Sequence, residues 1–501
     1  MNNTAITLRE VFHNLELREF SGEWTTPVSN LVIDSRRVIN GSVFFATPGL
    51  RTNGEFFIEE AVARGAAAIV SSSKPSSPRT GLAWIRVDNP RAILAAASSN
   101  FFRNPSKKLR VAGVTGTNGK TTVSTLLHYL LCAAQTNSPW GLIGTVRYEL
   151  GDRSLPSHRT TPESPEIHSM MAHMVAAGCS GLVMEVSSHA IDQRRVDGIA
   201  FDSLAFTNIS HDHIDYHGGL ENYFQVKTRP FLGNGCPLPA AAVINNDDPA
   251  GRRLASMLPP KHHIETFGES PDSTVRASDI LLLPGRSEFT VQWRDTPALR
   301  ISTSLPGRYN VSNILCALAL ARTLGFDPAS LLPALRNFPG VPGRMERIAP
   351  NMPFQIFVDY AHTDDALQNT LEMLRSITPG RILVVFGCGG DRDHSKRSTM
   401  TAAVQHYAAL AWATADNPRK EPLENIFNDM RAGISHPEKI TFVDDRRLAI
   451  SLALDAANAG DTLLIAGKGH ETYQEFADVT IPFDDRQVTR DLLALKQLRP
   501  I

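Results

Sequence analysis

Residues 109–135, LRVAGVTGTNGKTTVSTLLHYLLCAAQ, constrain the chain more than any other stretch. The apolar run over 109–114 reads as a buried strand. A turn of Gly116, Thr117, Asn118 and Gly119 leads into Lys120-Thr121-Thr122. Apolar residues then recur at helical spacing: Val123, Leu126, Leu127, Leu130 and Leu131. Strand, glycine turn, helix is the context in which a phosphate cradle works. N–H groups left unpaired at a helix start point at an anion, and the helix dipole adds to them. Lys120 is placed to meet the outer phosphates of a nucleoside triphosphate, and Thr121 to offer its hydroxyl to Mg2+. The spacing departs from the usual motif: five residues, not four, separate Gly113 from Gly119, and Val114 takes the expected glycine position. The competing reading, a glycine turn that binds nothing, is disfavoured because Gly-Lys-Thr falls correctly between strand and helix.

At 501 residues the chain is too long for one core, and several domains are expected. Its 42% hydrophobic and 20% charged residues are those of an ordinary globular protein. A formal net charge of −1 gives no reason to expect a nucleic-acid or membrane-surface partner. The five cysteines are scattered, odd in number and without a CxxC pair, which fits a reducing compartment and argues against a disulfide scaffold or zinc finger. The opening MNNTAITLREVF has no basic segment followed by an apolar one, and no apolar run is long enough to span a bilayer. A cytoplasmic protein without membrane insertion is expected.

Three α/β domains are expected: 1–105, 106–340 and 341–501. In the first, strands near 32–33, 43–46 and 66–72 and helices near 56–64 and 91–103 surround Asp34-Ser35-Arg36, which reads either as an anion-binding turn or as a salt-bridged surface turn. In the second, LVMEVSS (182–188), SLAFTNIS (203–210) and AAAVINNDD (240–248) are apolar runs ending in polar residues. Parallel strands buried on both faces read this way, and their carboxyl ends collect the chemistry. Glu185 stands at such an end. SHDHIDYH (210–217) is the densest titratable set in the chain; one of its histidines with Glu185 can hold the Mg2+ of a Mg·ATP complex, or the cluster is structural. RSEFTVQW (286–293) and LRISTSLP (299–306) alternate and suggest an antiparallel pair, followed by a mostly apolar helix within 305–325. In the third, strands at 355–360, 381–388, 409–414, 439–444 and 461–469 alternate with helical segments and suggest a second doubly wound, Rossmann-like sheet. Loops rich in charge and glycine follow four of them, which points to a ligand site at one sheet edge.

Taken together these segments resemble the Mur ligases, the ATP-dependent amide-forming enzymes of peptidoglycan precursor synthesis. Within them they are most similar to the branch that adds the third amino acid. The resemblance covers nearly the whole chain. It rests on GVTGTNGKTT (113–122) with the shifted glycine spacing, TTP (160–162), EVSSHA (185–190), DHIDYHG (212–218), NVSN (310–313), GRME (343–346), DYAH (359–362), GGDRD (389–393) and GKGHE (467–471). It implies three domains: one for the UDP end of the substrate, a central P-loop ATPase, and a C-terminal domain for the incoming amino acid. It also implies a monomer. The reaction would phosphorylate the D-glutamyl carboxylate of UDP-N-acetylmuramoyl-L-alanyl-D-glutamate, and an amine would then displace phosphate from the acyl phosphate.

By that resemblance Gly116, Thr117, Asn118, Gly119, Lys120, Thr121 and Thr122 hold the phosphates. Thr121, Glu185, His213 and Lys227 associate with Mg2+, Lys227 as a side-chain carbamate. On its residues alone Lys227 reads as a surface lysine. Thr160, Thr161, Ser187, Gln193 and Arg195 match residues that hold the muramoyl-dipeptide, and Ser35 and Arg36, with the loop at 49–54, match the UDP site. Asn313, Arg344, Asp359 and His362 match residues around the nucleotide and the hinge before the last domain. Asp416-Asn417-Pro418-Arg419 is the signature of members taking meso-diaminopimelate. A guanidinium forked onto the second carboxylate tells that substrate from lysine, which would leave a buried arginine unpaired. Arg392 and Arg419 are the candidate cations, and Glu471 with the carbonyl of Gly467 the candidates for the distal ammonium. Two departures stand out: Asp364 replaces a proline of the family pattern, which is expected to loosen the turn, and His211 replaces another polar residue. The rival readings are a lysine-adding ligase, a folylpolyglutamate synthase-like ligase, and a non-catalytic P-loop scaffold. The last should have lost Lys120, Glu185, His213 or Lys227, and all four are present.

Overall fold

The computed structural model describes residues 6–49, 52–74, 80–283, 285–294, 296–349 and 351–497. Residues 1–275 with 316–331 form one compact unit, and 276–315 with 332–501 another. The first unit holds the expected N-terminal domain and most of the expected central domain, while residues 276–315 and 332–340 of the latter fall in the second unit. The helix Pro90–Phe101 packs on the helix Ser164–Ala176, and Arg37 pairs with Glu166 at 2.9 Å.

The N-terminal sheet has the order Glu19–Ser21, Ala83–Arg86, Ala66–Ser71, Ser42–Phe45, Asn30–Val32, parallel except for its first strand. Next comes a parallel array in the order His263–Gly268, Ala241–Asn245, Ser203–Phe206, Arg110–Thr115, Gly181–Glu185, Trp140–Ile143. Two short antiparallel strands, Arg147–Glu149 and Ser154–Pro156, continue it. The four strands at its centre are buried along almost their whole length and apolar in their interiors, with polar residues confined to their ends, because helices cover both faces. Strand order reverses at Arg110–Thr115, whose sequence successors lie on either side of it, and that crevice is where ligands bind in such sheets. Gly113 lies inside this strand, where a Cβ would come within 2.6 Å of Leu204 and 2.7 Å of Phe201. It is a packing glycine, and the shifted motif spacing follows from it.

In the second unit the strands Arg286–Trp293 and Leu299–Thr303 pair antiparallel, as their alternation suggests. The sheet of the C-terminal region runs Glu346–Arg347, Gln355–Asp359, Thr462–Ala466, Ile382–Phe386, Leu410–Thr414, Ile440–Val443, with all but the first strand parallel. The loops after four adjacent strands therefore line up at one edge. The sequence does not announce a hairpin, Tyr473–Phe476 with Val479–Pro482, that follows the last of these loops. Asp364 opens the helix Asp364–Ile377, where its charge favours the N-terminus and Thr363 caps it by accepting from Ala366 N at 3.2 Å. The expected loosening has no counterpart here. Among the described residues no helix is long and apolar enough to cross a membrane.

Candidate active site

The strand Arg110–Thr115 ends in a loop that must turn sharply into the helix Lys120–Ala134. Gly116 takes φ +146°, and a Cβ there would collide with Thr207 Oγ1 at 1.9 Å, so no other residue fits. Residues from the neighbouring strand end fix the loop. Thr117 N donates to Asn208 O at 2.9 Å, Asn118 N to Asn208 Oδ1 at 2.9 Å, and Thr207 Oγ1 to Asn118 O at 2.6 Å. The N–H groups of the helix's first turn, which includes Thr121 and Thr122, have no intrahelical acceptor by construction. Lys120 Nζ lies across the loop, 2.9 Å from the carbonyls of both Gly116 and Thr117.

Glu185, the last residue of its strand and 1% exposed, is the hub of a hydroxyl network. Its Oε2 accepts from Thr121 Oγ1 at 2.9 Å and Thr145 Oγ1 at 3.0 Å; its Oε1 accepts from Thr145 N at 2.7 Å. Thr145 Oγ1 also contacts Thr160 Oγ1 at 3.0 Å. Hydroxyl and carboxylate oxygens in contact at the start of a phosphate-loop helix are a donor set that suits Mg2+.

Lys227 is a correction to its reading as a surface residue: it is 1% exposed. It sits at the end of the helix Leu220–Thr228, whose inner face packs on the helix Ser188–Asp192. Its Nζ donates to Gly116 O at 2.8 Å, the carbonyl that Lys120 also contacts, and lies 4.6 Å above the ring of Tyr223. Burial, then the charge of Lys120, pushes its pKa well below that of a free lysine, with Asp212 opposing. Tyr223 OH accepts from Thr117 Oγ1 at 3.2 Å. His213 begins the helix Ile214–His217 at φ +54° and stacks edge-on to His189 at 4.8 Å. Its side chain is 45% exposed, yet loss of hydration within the cluster lowers its pKa to about 4; Asp212 opposes, and His189, Lys120 and Lys227 add to the fall. The imidazole is thus neutral and able to act as a ligand. His217 instead bonds Ser188 Oγ at 3.1 Å, and His211 is exposed.

The remaining candidates of this unit fall into two places. Thr161 Oγ1 donates to Glu185 O at 2.8 Å and accepts from Ser187 N at 3.1 Å. Arg195 donates to Thr161 O at 3.0 Å and to Gln193 Oε1 at 2.8 Å, and pairs with Glu163 at 3.1 Å. Thr160, Thr161, Ser187, Gln193 and Arg195 are therefore one connected group beside Glu185. Ser35 and Arg36 lie apart, in the 3-10 turn Ser35–Arg37 that follows the strand Asn30–Val32: Ser35 Oγ donates to Glu60 at 2.7 Å, and exposed Arg36 is forked onto Asp34 at 2.9 and 2.7 Å. That is the geometry of the salt-bridged turn. In the loop at 49–54, positions 50 and 51 lie outside the described residues.

In the second unit Asp359 is buried and accepts from Met345 N at 2.7 Å and Ala361 N at 2.9 Å; burial raises its pKa, and Arg344 opposes. Arg344 lies 4.6 Å over the ring of Tyr360, and His362 bonds the Tyr360 carbonyl at 2.8 Å. These three share one loop cluster, whereas Asn313 is tied within its own helix to Asn310 at 3.1 Å. The loops after Leu410–Thr414 and Thr462–Ala466 meet. Asn417 Nδ2 donates to Glu471 Oε2 at 2.8 Å, and Lys468 Nζ, fully buried, donates to Asn417 Oδ1 at 3.0 Å and Glu471 Oε2 at 2.9 Å. Gly467 adopts φ +111° and passes close to Asp416, where a Cβ would lie 2.6 Å from Oδ2. Asp416 Oδ2 is buried with no hydrogen-bond partner among the described residues. Arg419 donates to Gly390 O at 2.9 Å and pairs with Glu475 at 3.0 Å; Arg392, beyond Gly389, is exposed.

Three family models cover most of the chain: "Mur ligase family, catalytic domain" matches 27–102, "Mur ligase middle domain" 114–321, and "Mur ligase, glutamate ligase domain" 343–469. The chain belongs to the Mur ligase family. A UDP-N-acetylmuramoyl-L-alanyl-D-glutamate--2,6-diaminopimelate ligase of Solibacter usitatus is 41% identical over 473 residues, 93% of this chain and 94% of that protein. One of the same name from Geobacillus kaustophilus is 42% identical over 467 residues, 92% and 94% of the two chains. A solved structure of a ligase with that name superposes with a TM-score of 0.69 at 31% identity, covering 99% of this chain and 100% of the other.

Beside the candidate residues stand others that sequence reasoning passed over. Thr145, Thr207, Asn208, Tyr223 and Lys468 all bond directly to candidate residues. Thr207 and Asn208 follow an apolar strand, the same signal that singled out Glu185, and were findable. Lys468 lies inside GKGHE but was assigned no role. Thr145 and Tyr223 carry no sequence signal that separates them from other polar residues.

Proposed function

We propose that this Mur ligase joins meso-diaminopimelate to the D-glutamyl carboxylate of UDP-N-acetylmuramoyl-L-alanyl-D-glutamate at the expense of ATP, giving the UDP-muramoyl-tripeptide of peptidoglycan synthesis. The observation that carries the reading is the pairing, in one loop cluster, of guanidinium groups (Arg419, with exposed Arg392) and a carboxylate–amide edge (Asn417, Glu471). A ligand with both a distal carboxylate and a distal ammonium satisfies both edges, and lysine satisfies one. Functional domains at 1–105, 106–340 and 341–501 fit this division of labour. The enzyme is taken to act as a monomer in the cytoplasm, where ATP and nucleotide-linked sugars are supplied.

In the reaction the substrate carboxylate attacks the terminal phosphoryl group of ATP, ADP departs, and an acyl phosphate forms. The amine then adds to its carbonyl carbon, loses a proton, and phosphate leaves. The loop from Gly116 to Thr122 cradles the phosphates with main-chain N–H groups. Lys120 swings from the Gly116 and Thr117 carbonyls onto the outer phosphates. Thr121, Glu185, His213 and Lys227 are the residues that would hold Mg2+, which when bound neutralises charge on the phosphates. Lys227 can take this part as a carbamate: a buried amine kept neutral is the nucleophile that carbon dioxide requires, and the product is an anion. Thr160, Thr161, Ser187, Gln193 and Arg195 orient the muramoyl-dipeptide, and Ser35 and Arg36 its UDP end. Asn313, Arg344, Asp359 and His362 take the nucleotide and hinge roles that the family resemblance implies. Asp416 and Gly467 complete the amino-acid pocket.

The test is phosphate release by purified protein with ATP, Mg2+ and the UDP-muramoyl-dipeptide, with meso-diaminopimelate, L-lysine, L-ornithine or no amino acid, the product being weighed by mass spectrometry. Release and one amide's mass gain with diaminopimelate alone is expected. Turnover with lysine at equal efficiency would overturn the role given to Arg419, and no turnover in folded protein would overturn the ligase reading.

A further inference from the structure

The hairpin formed by Tyr473–Phe476 and Val479–Pro482 has no role in the reading above, yet its first strand grips the loop at 415–419 at every residue but one. Gln474, buried, donates its side-chain amide to the carbonyls of Ala415 at 3.2 Å and Asp416 at 3.1 Å. Glu475 N donates to Asn417 Oδ1 at 3.1 Å. Arg419 N donates to Glu475 O at 3.0 Å, and Ala477 N donates to Arg419 O, so the arginine's main chain is spliced onto the hairpin beside Phe476. Arg419 needs this support: its φ is +55°, a region that strains a side chain with a Cβ.

The side chain is held as well. The Glu475 carboxylate lies 3.0 Å from Arg419 Nε, and Arg419 NH1 donates to Gly390 O at 2.9 Å. Gly389 leaves the room: a Cβ there would come within 3.1 Å of NH1. One guanidinium nitrogen is therefore hydrogen-bonded, a second faces the Glu475 carboxylate as an ion pair, and NH2 has no partner among the described residues. A long, flexible side chain is thereby restrained, with one nitrogen left over for a planar acceptor.

We propose that Glu475 is a specificity-determining positioning residue: by holding Nε it aims the free edge of Arg419 at the distal carboxylate of the amino-acid substrate. This rests on the reading that Arg419 receives that carboxylate. The pair is half-buried, and ion pairs that water still reaches contribute little to stability, so the effect of Glu475 is expected mainly in substrate affinity, with folding measured alongside.

The experiment compares Glu475→Ala, Glu475→Gln and Arg419→Ala in the full-length enzyme. It measures kcat and separate KM values for meso-diaminopimelate, ATP and the UDP-muramoyl-dipeptide, with circular dichroism to establish folding. Arg419→Ala is expected to raise KM for diaminopimelate strongly. Glu475→Ala should raise it about tenfold, with the other two KM values and kcat within about twofold. Glu475→Gln, which keeps an oxygen of the same reach beside Nε, should recover most of that loss. If Arg419→Ala raises that KM while Glu475→Ala leaves it unchanged or lowers it, the positioning role is wrong and the reading of Arg419 stands. If Glu475→Ala raises all three KM values alike, or Glu475→Gln is as poor as Glu475→Ala, the residue only supports the loop. If Arg419→Ala leaves KM for diaminopimelate unchanged, the underlying reading falls and the proposal with it.

Discussion

Lys227 and Lys120 converge on one main-chain carbonyl, that of Gly116, at 2.8 and 2.9 Å. Two ammonium groups so placed repel, and the fully buried one yields its proton first. Lys227→Ala is therefore expected to lower kcat by roughly 100-fold or more, with the fold intact, because charge at the phosphates loses an anchored partner. Carbon-13 NMR in labelled bicarbonate should show a carbamate signal in the parent enzyme and none in the variant; parent-like activity in Lys227→Ala would remove the residue from the metal set. Gly116 gives a second test. Its φ and the 1.9 Å approach of a Cβ to Thr207 leave no room for alanine, so Gly116→Ala should weaken nucleotide binding about tenfold or more while leaving diaminopimelate binding unchanged. Calorimetric titration with each ligand decides this, and equal loss for both would point to general misfolding.

At the scale of elements, the buried parallel strands were legible because both faces are apolar. Runs such as SLAF, AAVIN and ILVVF have few other folded fates, and the polar residues that end them mark the edge where the site lies. The hairpin at 473–482 was not legible: it has no two-residue turn signal, and its inward side chain is a glutamine that serves the 415–419 loop instead of a core. Lys227 was not legible for a related reason, since what buries it is a loop more than a hundred positions away. The helix Ser164–Ala176 holds a further departure from pattern. His168 is fully buried in it, with neither ring nitrogen hydrogen-bonded among the described residues. Burial lowers its pKa from 6.5 to about 4. The unfolded chain takes up the proton first as pH falls, so the contribution of the neutral ring is complete above pH 6.5 and is lost between there and pH 4. At pH 5 the loss is about 2 kcal/mol. His168→Leu should therefore flatten the fall in melting temperature between pH 7 and pH 5; an unchanged slope would mean that the ring stays neutral in both states or finds a partner.

At the scale of the whole molecule, the phosphate loop and the Asp416–Arg419 loop belong to different compact units, and the two ligand sites are built from separate sheets. Each ligand should then leave a local signature, because binding lowers the population of open states only where main-chain groups are tied down by it. Hydrogen exchange followed by mass spectrometry can read this segment by segment. Saturating Mg·ADP should slow exchange across residues 116–122 and the first turn of the following helix, with little change at 415–419. Saturating meso-diaminopimelate should slow exchange at 415–419, at 467–471 and in the first strand of the hairpin, since that strand donates to Asn417 and pairs with Arg419. L-Lysine at the same concentration should protect 467–471 more than 415–419, because it offers an ammonium for Glu471 and no carboxylate for Arg419. Protection by diaminopimelate that spared 415–419 would place the distal carboxylate elsewhere, and protection of both regions by lysine in equal measure would take amino-acid selection away from Arg419.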